Sequence, residues 1–393
     1  MVTIVEVLAV LAAAWMVAFA VDRLVYRRRK TERVEAEGNG LSYSLYPLLL
    51  IVKFKKVTRP LDILTERAPR FWDAVSRAAI ATGFGLMAFA VYVLATNLST
   101  YLFRPEQVTG QNIVIPLIVG VTIRLENLPY LFIAFALVLL THEGMHGIIA
   151  RREGLPVKSA GIFMIFVVPG GFVEPDEQAF KSAKPGAKMR VAAVGSFANI
   201  AVGVIALLMM FGLFIPQEAG LIALQVEENA RIKVNDVIVS IDDVPVNSYT
   251  IRTESIIIAE KIRVKTLTDE YVFDTNPEVR GREIPLGSVI RGLGVVQVDT
   301  YLMSRIPGVD IIGSYNLYRT LFWLQLVSIG VAVFNMLPIY ALDGHLMLRA
   351  VLEKFVKNQK TMTGIANAAA LLCIGLVVAN IAFTYTTFGF FQI

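Results

Sequence analysis

Six stretches of this chain are apolar over about twenty residues: 2–21, 76–98, 129–150, 190–213, 316–338 and 362–388. As helices rising about 1.5 Å per residue, each can cross the roughly 30 Å hydrocarbon layer of a bilayer. Inside that layer no water can satisfy the backbone, so a span must close its hydrogen bonds internally, as a helix does. The 393 residues are 55% hydrophobic with a mean hydropathy of +0.61, which excludes an ordinary soluble globule. The expected fold is a polytopic α-helical membrane protein with about six spanning helices.

Basic residues orient the spans, because short cytoplasmic loops carry an excess of Lys and Arg. The loop after the first span is rich in them, with Arg27, Arg28, Arg29, Lys30, Lys53, Lys55 and Lys56 among others. The next loop has Arg104 and Arg124. The third has Arg151, Arg152, Lys158, Lys181, Lys184, Lys188 and Arg190, and the fifth has Arg349, Lys354, Lys357 and Lys360. This alternation predicts cytoplasmic first, third and fifth loops and outward termini. The net charge of +5 then reflects loop bias, and nucleic acid is not an expected partner. The run 27–30 reads as a topology determinant on the lipid bilayer. In the first stretch charge follows the apolar run, so it reads as a retained anchor and not as a signal peptide. Cys373 is the sole cysteine, which leaves no disulfide framework and no cysteine metal site.

The chain holds three histidines, His142, His146 and His345. The first two lie in His142-Glu143-Gly144-Met145-His146, at the end of the third span. Residues four apart share one helix face, so two neutral imidazoles can bind one Zn²⁺ at about 2.0–2.1 Å. Glu143 points beside such a metal, where a carboxylate can serve as general base. Catalytic zinc takes three protein ligands, so a third must come from elsewhere in the chain. A lone motif of this kind can be chance, but ionisable groups at membrane depth are costly and tend to mark function.

Residues 216–313 are less apolar and read as a small β-rich domain between spans four and five. Within it, 236–246 reads as two strands around Asp242-Asp243, and 262–273 reads as a hairpin turning at Asp269-Glu270. Residues 159–174 read as a hairpin dipping into the membrane and broken at Pro169-Gly170-Gly171. Residues 43–52 are apolar but too short to span, so an interfacial or re-entrant segment is expected.

A second motif sits at the end of the fifth span: Asn335, Pro338, Leu342, Asp343 and Gly344. With the histidine motif and the inserted domain, it resembles the site-2 protease family of intramembrane zinc metalloproteases, particularly archaeal members. The likeness covers about 112–350. It implies that Asp343 is the third zinc ligand beside His142 and His146, that Glu143 is the catalytic base, and that Asn335 and Pro338 position an unwound substrate. Gly195-Ser196-Phe197-Ala198-Asn199 matches a small-residue-then-Asn motif, which implicates Asn199 in supporting the site, with an interhelical hydrogen bond as the equal alternative. Ser196 stands where many members have Pro, and Gly330 where some have Asn. His345 reads as structural, because it follows Gly344 past the helix end.

The inserted domain resembles a PDZ domain through 235–246, with Asn235 replacing the usual Gly. The expected organisation is an N-terminal membrane region over 1–111, core over 112–215, a PDZ-like domain over 216–313, and core with a last span over 314–393. The implied activity is zinc-dependent cleavage of single-span membrane proteins in the cell membrane, with the active site towards the cytoplasm and the PDZ-like domain outside. A metal transporter and an inactive scaffold are the alternatives. The first predicts a polar pore that the spans lack, and the second does not need Glu143.

Overall fold

The computed structural model describes residues 13, 15–17, 19–20, 41–46, 48–54, 58–116, 122–165, 168–230 and 232–390. In chain order its helices are α1 (Thr58–Arg67), α2 (Pro69–Phe103), α3 (Leu128–Arg152), α4 (Glu177–Ser182), α5 (Pro185–Leu213), α6 (Thr250–Thr253), α7 (Leu286–Gly292), α8 (Ile311–Asn335), α9 (Asp343–Phe355) and α10 (Gln359–Phe388). Among the described residues five helices, α2, α3, α5, α8 and α10, are long and apolar enough to cross a membrane. Most of the expected first span, with Glu6 and the run 27–30, lies outside the described residues. The count is therefore five where six were expected.

The helix ends follow local chemistry. α2 and α3 each begin with a proline in the first turn, where its missing N–H costs nothing. α3 ends in Arg151 and Arg152, and Gly154 follows at φ +75°, a conformation that suits glycine. α8 stops at Asn335, three residues before Pro338, short of the expected 338.

The chain divides into two compact units, 1–204 with 323–393, and 205–322. In the first unit, strands β1 (Leu41–Tyr46), β2 (Leu49–Phe54), β3 (Val157–Ile165) and β4 (Val168–Pro175) form an antiparallel sheet in that order. The 43–52 segment is thus a hairpin whose second strand pairs with β3, Leu49 opposite Ile165 and Phe54 opposite Ala160. Two cross-strand pairs, Gly161 with Phe172 and Phe163 with Gly170, set an aromatic ring over a glycine. A Cβ on either glycine would strike that ring. α3 lies against β4, with Val173 packed at Gly147. A buried amide cluster ties α2 to α10: Asn97 Nδ2 donates to Asn380 Oδ1 at 2.8 Å, and Asn380 Nδ2 donates to the Leu94 carbonyl at 2.9 Å.

The second unit carries β5 (Phe214–Val226), β6 (Val237–Ile241), β7 (Val244–Pro245), β8 (Ser255–Ile257), β9 (Lys261–Thr266), β10 (Glu270–Asp274), β11 (Glu283–Pro285) and β12 (Val295–Ser304). Its main sheet runs β10-β9-β6-β5-β12, with β7 on β6. Residues of β9 alternate exposed and buried, so one face builds a core with Ile238, Ile241, Ile262, Val264, Leu286 and Ile290. Asp242 and Asp243 turn β6 into β7 at φ +45° and +64°. Such left-handed pairs match the twist of a two-residue hairpin. Asn235 adopts φ +72°, a region asparagine tolerates better than most residues, which accounts for its standing in place of glycine.

Candidate metal centre

The centre is built on one stripe of α3. His142 and His146 are one turn apart, with ring centroids 4.7 Å apart and planes at 78°. Asp343, the first residue of α9, joins them: its Oδ2 is 3.1 Å from His142 Nε2 and 3.2 Å from His146 Nε2. The two Nε2 atoms are 3.1 Å apart. Among the described residues this is the group of His, Cys, Asp and Glu arranged to hold a metal ion. Tetrahedral ligands at about 2.0–2.1 Å from a zinc ion stand about 3.3 Å from one another. The observed triangle fits that spacing, and its N, N, O donor set suits zinc.

α5 presents a matching stripe at every fourth residue: Val191, Gly195 and Asn199. The Val191 carbonyl, which can only accept, lies 2.7 Å from His146 Nδ1. It therefore holds the proton on Nδ1 and leaves the Nε2 lone pair bare. The nitrogen of the fully buried Asn199 amide sits 3.0 Å from His142 Nδ1, while its Oδ1 is buried without a partner. With its oxygen turned to the ring, that amide accepts Nδ1–H and fixes the same tautomer in His142. Between them, Gly195 makes room. A Cβ there would lie 2.6 Å from His142 Cε1 and 2.7 Å from His142 Nε2, and would strike His146 as well.

Asn335, at the end of α8, places its amide nitrogen 3.0 Å from both His142 Nε2 and Asp343 Oδ2. The chain then folds back through 336–342, with Ala341 at φ +68°, to return Asp343 beside Asn335. Gly344 is confined by the Met336 and Leu337 carbonyls, which leave no space for a Cβ. Pro338 is buried in this turn. His345 is buried against Tyr340, ring centroids 4.6 Å apart, and is not in the donor group.

Glu143 also stands outside the donor triangle. Its Oε2 accepts the backbone N–H of Val173 in β4 at 2.9 Å. That N–H lies on the edge of β4 not paired with β3. Gly171 permits the approach, since a Cβ there would be 3.0 Å from Glu143 Cγ. Glu143, His146 and Asp343 line one cavity of about 570 Å³, whose rim includes Lys158, Glu174 and Glu177. The Ser159 hydroxyl and the Lys53 ammonium hold the Glu174 carboxyl below the usual range, so this rim stays charged at neutral pH.

Ion pairs brace the helices around the centre. Arg152 forks onto Asp73 with two bonds of 2.8 Å, and Arg190 onto Glu153 with two of 2.6 Å. Lys188 of α5 meets Glu353 of α9 at 2.7 Å. The contacts of Val191 and Val173 with the centre are not signalled by any sequence motif, and Gly195 and Lys188 act here beyond the motif and the loop charge in which the sequence shows them. Gly195 and Val191 carried a signal in their four-residue spacing from Asn199. A backbone N–H such as that of Val173 carries none.

Two comparisons bear on this centre. The family model described as Peptidase family M50 matches residues 130–378, which include every member of the donor group. An uncharacterized protein of Methanocaldococcus jannaschii is 26% identical over 217 residues, 54% of each chain. The chain therefore spans about half the length of that relative.

Proposed function

This chain belongs to peptidase family M50, and from that premise we propose that it is an intramembrane zinc metalloendopeptidase cutting the spanning helices of membrane-anchored proteins. The observation that carries this reading is the triangle in which His142 Nε2 and His146 Nε2, on the membrane-length helix α3, meet Asp343 Oδ2 at the start of α9, with Glu143 alongside. His142, His146 and Asp343 are the proposed zinc ligands. A zinc ion held by these three would supply Lewis-acid polarisation of a carbonyl and would acidify water towards a pKa of ~7. Glu143 Oε2 is placed to take the proton of the attacking water and to pass it to the nitrogen of the departing amine. Val191 and Asn199 hold the imidazoles in the ligating tautomer, and Asn335 steadies Asp343.

A helical substrate hides its peptide bonds in internal hydrogen bonds, so it must unwind before it can react. Among the described residues no strand pairs with the second edge of β4, whose backbone groups beside the Val173–Glu143 contact offer partners to an unwound strand. Asn335 and Pro338 at the end of α8 are proposed to help position it. From the Lys and Arg bias, we place the centre towards the cytoplasmic side and residues 216–313 outside. The order β10-β9-β6-β5-β12 and the strand pair around Asp242-Asp243 support reading that region as PDZ-like. Single-span proteins are the proposed substrates.

The test is Glu143→Gln in the full chain reconstituted with zinc and a panel of single-span helices. Zinc stoichiometry should stay at the wild-type value while cleavage falls by about 10²–10⁴-fold, the usual scale of general-base catalysis. Cleavage at the wild-type rate would overturn the assignment.

A further inference from the structure

A second cavity, of about 650 Å³, lies between α3 and the sheet β2–β4. Along α3 its wall runs from Phe132 through Phe135, Ala136 and Leu139 to Glu143. Among the lining residues Glu143 is the one ionisable side chain. The same carboxyl group lines the neighbouring cavity with His146 and Asp343. A cavity with a single ionisable side chain and one with six therefore meet at Glu143.

The dimensions suit a stretch of peptide. Glu143 is eleven residues beyond Phe132, about 16 Å along the helix, which about five residues of extended chain would match. A cavity of ~150 Å³ accepts a benzene ring, so this one has room for several large side chains. It is kept open by small residues. A Cβ on Gly144, which lines it next to Glu143, would meet nothing within 4 Å. Within a bilayer an apolar side chain gains little by leaving lipid, so occupancy here is decided by fit.

We propose that this cavity is the subsite for large apolar side chains of the unwound substrate segment on one side of the scissile bond, and that Gly144 and Ala136 set its depth. This rests on the proteolytic reading. Its continuity with Glu143 favours substrate over an acyl chain, because a peptide reaching the carboxylate must lay its flanking side chains in the adjoining space. An acyl chain brings no group for that carboxylate to act on.

The experiment uses the full, zinc-loaded chain in phosphatidylcholine vesicles. A single-span substrate carries a photo-crosslinking phenylalanine analogue at each of the five residues on either side of its cut, one at a time. At one or more positions on one side, adducts should map to Phe135 and Leu139. Gly144→Leu and Ala136→Trp, which fill the cavity at two depths, should lower those adducts at least fivefold. They should also lower cleavage of substrates with Phe or Trp there at least tenfold relative to substrates with Ala there. Adducts confined to other residues, or an unchanged size preference in both variants, would overturn the assignment. So would labelling of the cavity by a photoactivatable acyl chain that excess substrate does not reduce. Adducts at Phe135 and Leu139 without any cleavage by the wild-type chain would instead break the proteolytic reading and leave the cavity as a binding site for apolar peptide side chains.

Discussion

The two antiparallel sheets of this protein solve the same problem by different means. In the 205–322 unit the outer strands β9 and β10 keep one wet face, so they alternate, and the unit's stability comes from its own cores, Ile238, Ile241, Val264 and Leu286 on one side and Ile222, Val237 and Tyr301 on the other. The sheet β1–β4 has apolar residues on both faces, and its close packing comes from glycine: Gly161 under Phe172, Gly170 under Phe163, and Gly171 beside Glu143. In the first sheet side-chain volume stabilises. In the second, the absence of side chains makes the site possible. A mutation should therefore act oppositely in the two: loss of atoms harms one, and gain of atoms harms the other.

The largest expected effect comes from adding a single methyl at the metal centre. Gly195→Ala should abolish zinc binding and reduce cleavage to background, matching Asp343→Ala, because the new Cβ would press on the His142 ring. Elemental analysis of the purified variants checks it, and a full zinc complement in Gly195→Ala would break the contrast.

Next come paired changes in the two sheets. Ile238→Ala should destabilise the 205–322 unit by about 2–5 kcal/mol, read as faster hydrogen exchange over 214–304 with zinc retained. Gly161→Ala should instead slow cleavage by about 10²-fold by shifting β4 against Glu143, with exchange over 214–304 unchanged. Exchange of these two outcomes would refute the comparison.

Replacement of residues 219–312 by a Gly/Ser linker of comparable reach sharpens it further. Zinc should stay, and substrates with bulky outer portions should be cut several-fold faster relative to truncated ones, as expected of a domain that selects. An unchanged preference would remove that role.

The smallest effect is one of pH. Burial and the hydrogen bond to Asp236 push the Tyr271 phenol up to about 12. Its folded-state pKa thus lies above the unfolded value of about 10. The stabilisation it lends is complete below pH ~10 and is lost as pH rises towards 12. Denaturant titrations of the 205–322 unit at pH 9 and 11 should show this loss in the wild type and a flatter response in Tyr271→Phe.

Legibility in the sequence followed the same division. The turn at Asp242-Asp243 and the hairpin β9–β10 could be read directly, since alternation and turn residues survive where one face is wet. The hairpin β1–β2 could not, because in an apolar setting both faces are apolar and the period of two disappears. The spans at α2, α3, α5, α8 and α10 were legible from length and composition. At the centre, His142 and His146 announced themselves by helical spacing. The convergence of Asp343 with them depended on the turn after Asn335, and the Val173 N–H has no side chain to betray it.

The turn from Asn335 to Asp343 has a consequence for how such a chain can diverge. One added residue lengthens its reach by up to about 3.6 Å, whereas a working ligand set tolerates about 0.5 Å. Gly344 has no slack to absorb the difference, being pressed against the Met336 and Leu337 carbonyls. Insertions and deletions should therefore be purged between residues 335 and 343 and should accumulate in surface loops such as that around Asn276 and Gly281. The fixed length of this turn between α8 and α9 is thus a requirement on the site in its own right.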